Sequence, residues 1–300
     1  MQLSNCVLPG GLIDASGQVH KQVKLRSLTG QEEEMLQNQV ETTNAAKVSA
    51  LISQCVQNIG SISPITEDIA RQCLAADRQY LMLKLRQATF GDKIEFSVTC
   101  PWHDCDQRVD ISFSISQLDI DDAKLEQRIH TWSTPDDVDA EPMLIRFRLP
   151  NGADQEALIA LAHQDEAQAL SELLWRCIHS IGKVENPSRT HVHALPLDVQ
   201  RAVEEHMQSL APDLDITMRA RCPECGREFD LPFDIQDFFL RELSTSQDVL
   251  RREVHYLAFH YHWSEQEILS MTRDKRRQYI QTLAEELERM NESVNRYAAA

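Results

Sequence analysis

The chain repeats itself at a spacing of 122 positions. Leu51-Ile-Ser-Gln-Cys-Val-Gln-Asn-Ile-Gly60 is matched by Leu173-Leu-Trp-Arg-Cys-Ile-His-Ser-Ile-Gly182. Val23-Lys-Leu-Arg26 before Gly30 is matched by Ile145-Arg-Phe-Arg148 before Gly152, and Cys100-Pro101 by Cys222-Pro223. A repeat constrains a fold more than any single motif, because each unit must use the same local plan. It also brings two cysteine pairs into equivalent places.

The 300 residues suit one large or two ordinary domains. Apolar residues make up 42% and charged residues 26%, which excludes a disordered chain. The net charge of -17 repels phosphate backbones and anionic membranes and favours basic partners. There is no run of 18 apolar residues, so no membrane span is expected. Met1-Gln-Leu-Ser-Asn-Cys6 lacks the basic and apolar start of a signal peptide, so a reducing cytosol is expected. Eight cysteines in that compartment read as free or metal-bound thiols.

Residues 1–17 read as an extended arm, and Val23 to Arg26 as a strand. Helices are expected from Gln31, from Lys47 to Ile59, and from Thr66 to Gly91 with a stripe of Leu74, Leu81, Leu85 and Ala88. Ile94, Phe96 and Val98 alternate into Cys100, and Val109, Ile111, Phe113 and Ile115 alternate out of Cys105, which predicts a hairpin with cysteines at its tip. The second half copies this plan. A strand over Met143–Leu149 precedes helices over Ala153–Ala162 and Glu166–Ile181, then a polar loop and a helix from Pro196 to Leu210. Ile216, Met218 and Ala220 lead into Cys222, and Phe229, Leu231, Phe233 and Ile235 follow Cys225.

The fold class expected is α+β. Two similar helix-plus-hairpin halves meet at a shared zinc site, with a C-terminal helical extension. The boundaries are 1–122 for the first half, 123–142 for an acidic connector with Pro135, 143–238 for the second half and 239–300 for the extension. In the extension, Leu250, Val254, Leu257 and Tyr261 share one helical face. Ser264-Glu-Gln-Glu267 is a capping box, Ile280, Leu283, Leu287 and Met290 form a narrow stripe, and fraying is expected from Asn291.

Cys100-Pro-Trp-His-Asp-Cys105 and Cys222-Pro-Glu-Cys225 each have the form of a zinc knuckle, with two thiolates on a tight turn. Structural zinc takes four ligands in a tetrahedron, and each knuckle supplies two. One ion shared by Cys100, Cys105, Cys222 and Cys225 satisfies both halves. His103 stands three residues after Cys100, as Cys225 does after Cys222, and is the alternative to Cys105. A closed all-thiolate site is structural and does not activate water. Cys55, Cys73 and Cys177 lie on helices and read as buried small hydrophobes.

Other clusters read more plainly. Glu253, His255, His260 and His262 stand among Tyr256, Phe259, Tyr261 and Trp263, a composition expected for packing or a protein contact. His191 and His193 are expected in a solvated loop. Asp119, Asp121 and Asp122 lack the spacing of a calcium loop. Lys275, Arg276 and Arg277 read as a solvated face. No phosphate loop, dinucleotide fingerprint or nucleophile elbow is present, so no enzyme is expected.

An ordered set of short stretches carries a resemblance. It comprises Leu8-Pro-Gly-Gly-Leu-Ile-Asp14, Leu28-Thr-Gly-Gln-Glu-Glu-Glu34, Tyr80-Leu-Met-Leu-Lys-Leu-Arg86 with Phe90-Gly-Asp92, and both cysteine knuckles. Asp237-Phe-Phe-Leu-Arg-Glu-Leu243, Arg252-Glu-Val-His-Tyr-Leu-Ala258 and His260-Tyr-His-Trp-Ser264 complete it. With these stretches the chain resembles the baseplate hub assembly proteins of contractile tails, found in T-even-type phages and in extracellular contractile injection systems. The resemblance implies a non-enzymatic assembly or structural role. It implies protein partners in the hub, tube or tape measure, and no nucleic acid, membrane or small-molecule substrate. It implies a cytoplasmic location during assembly and leaves open whether the protein stays in the particle. A zinc-ribbon nucleic-acid regulator is the rival reading, and the charge of -17 opposes it. A metalloenzyme would need an open metal position.

Overall fold

The computed structural model describes residues 3–38, 42–120, 125, 127–134, 142–162, 164–214, 216–245 and 247–298. The first half comprises β1 (Leu3–Ile13), β2 (Val19–Arg26), α1 (Gly30–Asn38), α2 (Asn44–Cys55), β3 (Val56–Ile59), α3 (Glu67–Gln72) and α4 (Ala75–Phe90), and closes with the hairpin of β4 (Lys93–Thr99) and β5 (Arg108–Ser114). The second comprises β6 (His130–Ser133), β7 (Leu144–Phe147), α5 (Gly152–Ala162), α6 (Glu166–Cys177), β8 (Ile178–Ile181), β9 (Val184–Glu185), α7 (Arg189–His193) and α8 (Leu197–Leu210), and closes with the hairpin of β10 (Thr217–Arg221) and β11 (Glu228–Pro232). α9 (Ile235–Thr245), α10 (Gln247–Tyr261), α11 (Glu265–Leu269) and α12 (Arg273–Ala298) follow. The protein is therefore α+β with a helical C-terminal region.

Among the described residues the sheets are antiparallel, one ordered β1-β2-β3 and one β6-β7-β8-β9, beside the two separate hairpins. Several elements differ from the sequence reading. The expected arm is β1, paired with β2 along its length. Gly10 and Gly11 form the irregularity in that pairing, and both their amides donate to the Asp77 carboxylate at 2.8 Å. The helix expected over Lys47–Ile59 stops at Cys55, and the helix expected over Glu166–Ile181 stops at Cys177. In each case a four-residue segment with branched apolar residues only at its ends, Val56-Gln-Asn-Ile59 or Ile178-His-Ser-Ile181, turns extended at once and joins the sheet, although its apolar spacing of three continues the helix period. The single helix expected from Thr66 is α3 and α4, because Cys73 and Leu74 are extended and bridge to Asn151. The segment expected as a connector contributes β6, which pairs with β7. Half of that segment, including Pro135, and Asp121 and Asp122 before it, lie outside the described residues.

The two sheet units agree bond for bond at the spacing of 122. β2 pairs with β3 through Val23–Ile59 and Lys24–Asn58, then slips to Leu25–Val56; β7 pairs with β8 through Ile145–Ile181 and Arg146–Ser180, then slips to Phe147–Ile178. Gly60 and Gly182 both sit at positive φ, +57° and +56°, and donate to Gln22 and Leu144 carbonyls. Arg26 forks onto Glu32 at 2.7 and 3.0 Å and reaches the Gln54 carbonyl at 2.9 Å. Arg148 forks onto Asp154 at 2.6 and 2.9 Å and reaches the Arg176 carbonyl at 3.1 Å. In both, the acid also accepts the amide three residues before it, Thr29 or Asn151, and so caps the following helix. Burial alone would raise both carboxyls; the paired arginine together with the Thr29 or Asn151 amide and a further side-chain hydrogen bond holds Glu32 and Asp154 below their ordinary values.

One apolar core lies in the first half, around Leu51, Ile52, Leu81, Met82 and Leu85, and takes in Phe239 and Leu243 of α9. A second lies in the other half, around Ile145, Phe147, Leu174 and Val203. The halves meet at a fully buried arginine, Arg78, on α4. Its guanidinium donates to Ser49 Oγ at 2.8 Å, to the Ala45 carbonyl at 2.7 Å and to the Ala70 carbonyl at 3.0 Å. Its Nε reaches Gln155 of the second half at 2.9 Å. Gly152 and Ala75 close the junction by backbone bonds to Cys73 and Pro150. This junction, which the sequence reading missed, lies in the helices and not at the cysteines.

Candidate metal centre

Both hairpins lean together along their length. At the base, Phe96 stacks on Phe233 at 5.5 Å and Phe113 meets Phe233 edge-on at 5.2 Å. At the tip, Cys100, Cys105, Cys222 and Cys225 converge, packed against Val98, Val109, Ile111 and Phe229. Their four sulfurs lie within 4.8 Å of one another. Cys100 and Cys225 are 3.9 Å apart, and Cys105 and Cys222 3.7 Å. Both of these contacts run between the knuckles.

The turns explain the convergence. Cys100 donates its amide to the Gln107 carbonyl at 2.8 Å, and Cys222 donates to Arg227 at 3.0 Å, closing each knuckle on itself. The residue after the last cysteine is left-handed in both: Asp106 at φ +48° and Gly226 at φ +71°. Gly226 takes this conformation freely, and Asp is among the few other residues that tolerate it. The longer first knuckle fits its two extra residues by a turn in which Cys105 donates to the Trp102 carbonyl at 2.9 Å.

The sulfurs differ electrostatically. Burial pushes the Cys100 thiol up to about 12. The Cys225 and Glu224 amides aimed at Cys222 outweigh its burial and bring that thiol down to about 7. One thiolate is therefore accessible near neutral pH, and the raised thiols of Cys100 and Cys105 need a cation to replace their protons. Arg227 carries positive charge beside the cluster. It donates 2.9 Å to one oxygen of Asp104 and bonds the other, so the second knuckle clasps the first. It also lies over the Trp102 ring at 5.4 Å. The sequence reading passed over this clasp, because neither residue is a metal ligand type in that setting.

The geometry fits a four-sulfur metal site. A tetrahedral ion with metal–sulfur distances of about 2.3 Å places its ligands about 3.8 Å apart. The cross-knuckle separations match that value. They are far too long for disulfides, whose sulfurs lie about 2.05 Å apart. His103 is 96% exposed on its side chain and turned toward Asp104, so it is Cys105 that faces the other three sulfurs.

Other residues singled out in the sequence are dispersed. Burial raises the thiols of Cys55, Cys73 and Cys177 to about 12 and of Cys6 to about 11, the behaviour of packed, unreactive cysteines. His191 is not in a loop: it closes a capping box with Ser188 at the start of α7, and His193 ends the same helix. Asp119 is exposed. Arg276, expected on a solvated face, is fully buried and paired at 2.8 Å with both Glu33 and Glu253. Glu253 is therefore committed to an ion pair, while His255, Tyr256 and Phe259 face outward on α10. Among the described residues, only the four knuckle cysteines form a group able to hold a metal ion.

The family described as T4 bacteriophage base plate protein matches residues 14–240. A family of unknown function (DUF6760) matches residues 243–299. No curated protein and no solved structure matches the chain. The base plate match begins in the β1–β2 turn, spans both sheet units and both knuckles, and ends in α9. On that match, the chain belongs to the T4 bacteriophage base plate protein family.

Proposed function

We propose that this protein is a non-enzymatic structural or assembly component of a contractile-tail baseplate, built from two copies of one plan and pinned by one structural zinc ion. The observation that carries the reading is the base plate family match over residues 14–240. The bond-for-bond agreement of the two sheet units at one spacing supports the duplication. The four converging sulfurs support zinc, the usual occupant of a closed tetrahedral thiolate set. Such a site leaves no position for water or substrate, and the surrounding groups offer no base placed to use one. Its role is to hold Cys100, Cys105, Cys222 and Cys225 together, and with them the two hairpins.

The partner surface is the helical extension. Phe259 is 67% exposed and Tyr256 52%, with His255 and His260 ringed around them. A continuous aromatic face of this kind suits the desolvated centre of a protein contact. The net charge of -17 directs it toward a basic partner surface. The test is a pull-down of the full chain from cells expressing the tail genes. Recovery of a baseplate, tube or tape-measure protein, reduced by the pair Tyr256→Ala and Phe259→Ala, is expected. Recovery of no tail component, or tight salt-sensitive binding to nucleic acid, would overturn the reading.

A further inference from the structure

Three pairs of helices in this chain share one cap spacing. Thr66 and Leu74 precede α3 and α4, Ser188 and Pro196 precede α7 and α8, and Ser264 and Thr272 precede α11 and α12. Each second cap follows the first by eight residues, and four residues later comes a buried polar side chain: Arg78, Gln200 or Arg276.

Two of these helix corners hold a strand-to-helix corner. Gly152 donates to Cys73, and Asn151 bridges Leu74; Gly30 donates to Met271, and Thr29 bridges Thr272. In both, a polar residue followed by glycine opens a helix, and the absent Cβ leaves room for the helix corner. A Cβ on Gly152 would strike Arg78, and one on Gly30 would lie 2.8 Å from Leu269 Cδ2 and 3.1 Å from Arg276 Nη1.

The α7–α8 corner holds no such element among the described residues. Pro196 and Leu197 are exposed, Leu197 by 71%, where Leu74 and Ala75 are half-buried. The Leu195 carbonyl accepts from Gln200 at 2.9 Å, as Met271 accepts from Arg276 at 2.8 Å. Met271 accepts from Gly30 as well, so Leu195 retains a lone pair for a second donor. The base plate region, residues 14–240, therefore carries one helix corner and one strand-to-helix corner with no mate inside that region. The second is filled by α11 and α12, which lie in the separately matched segment 243–299.

We propose that the α7–α8 corner is a docking site for the β2–α1 corner of a second copy, and that α11 and α12 occupy that corner in the free chain as a built-in competitor. Release of the competitor joins copies head to tail, a heterologous contact that extends or closes into a ring according to its rotation. The inference rests on the duplicated plan; it is independent of which tail protein binds the aromatic face.

The test uses the full chain with Leu269→Asp, which removes the apolar side chain seated on Gly30 and leaves the β2–α1 corner unchanged. Sedimentation velocity is expected to show species of two chains and above that grow with concentration, where the unaltered chain stays smaller. Adding Leu197→Glu, at an exposed position, is expected to return the mass to one chain. A folded Leu269→Asp protein that is cut readily between α10 and α11 yet stays at one-chain mass overturns the proposal. So do oligomers that Leu197→Glu leaves intact. Should Leu269→Asp unfold, the milder Leu269→Ala, which loosens the same seat on Gly30, is combined with Thr29→Cys in one set of chains and with Pro196→Cys in another, and the two are mixed under mild oxidation. A cross-linked dimer that requires both cysteine substitutions supports the contact, and its absence overturns it.

Discussion

Single residues hold this protein at buried charges and at one sulfur cluster. Asp154 has a side chain 1% exposed, between Arg148 and Arg176 at 2.6 and 2.8 Å. Asp154→Asn removes the buried charge that two half-buried guanidinium groups bond and is expected to cost about 1.5–3 kcal/mol in urea unfolding. The same residue sets a pH dependence. Its folded pKa is depressed, so the unfolded state binds more protons once pH falls near 3.8, and stability is lost from there downward. Glu32 acts with the same sign from about 4.5. Melting temperatures from pH 7 to pH 3 are expected to fall, with a shallower acid slope in Asp154→Asn. A variant slope equal to that of the unaltered chain would contradict this account. At the cluster, Cys105→Ser and Cys222→Ser are each expected to abolish bound zinc, and His103→Ala to retain it. Metal content per chain decides between them, and zinc loss in His103→Ala would move the fourth ligand to the histidine.

At the scale of elements, the two sheet units share a plan but not their surroundings. Gly60 and Gly182 take the same left-handed turn after β3 and β8. Alanine at either position pays about 1–2 kcal/mol for that conformation. At Gly60 a Cβ would also lie 2.9 Å from His20 Cβ, whereas at Gly182 nothing stands within 4 Å. Gly60→Ala is therefore expected to destabilise more than Gly182→Ala, as measured by denaturant midpoint. Equal losses would show that the His20 contact relaxes freely. The hairpins were legible because strand alternation and the paired cysteines reinforce each other over Ile94–Ile115 and Ile216–Ile235. The helix-to-strand change at Cys55 and Cys177 was not, because Val56 and Ile59, like Ile178 and Ile181, stand three apart and continue the period of the helix before them.

Across the whole molecule, two of the contacts that join the halves differ in their chemistry. One is the hairpin tip, with its sulfurs and the Asp104–Arg227 clasp. The other is the Arg78 junction between α4 and the start of α5. The two apolar cores do not include the cysteine cluster. Chelation is therefore expected to lower the melting temperature while the helical circular dichroism at 25 °C survives. Amide exchange should rise in β4, β5, β10 and β11 and stay slow in α2, α4 and α6. Global loss of protection on chelation would mean that the metal, and not Arg78, carries the junction.

The sequence alone determined the α+β class, the paired knuckles, their four cysteines and the resemblance to baseplate proteins. These follow from local period, from spacing and from an internal copy, all of which survive in one dimension. Only the tertiary structure brought Cys105, and not His103, to face the other three sulfurs, buried Arg276 against Glu33 and Glu253, and split one helix at Cys73. Those outcomes depend on which distant backbone arrives to accept a hydrogen bond or neutralise a charge. That information lies in residues far along the chain, 243 positions in the case of Arg276 and Glu33.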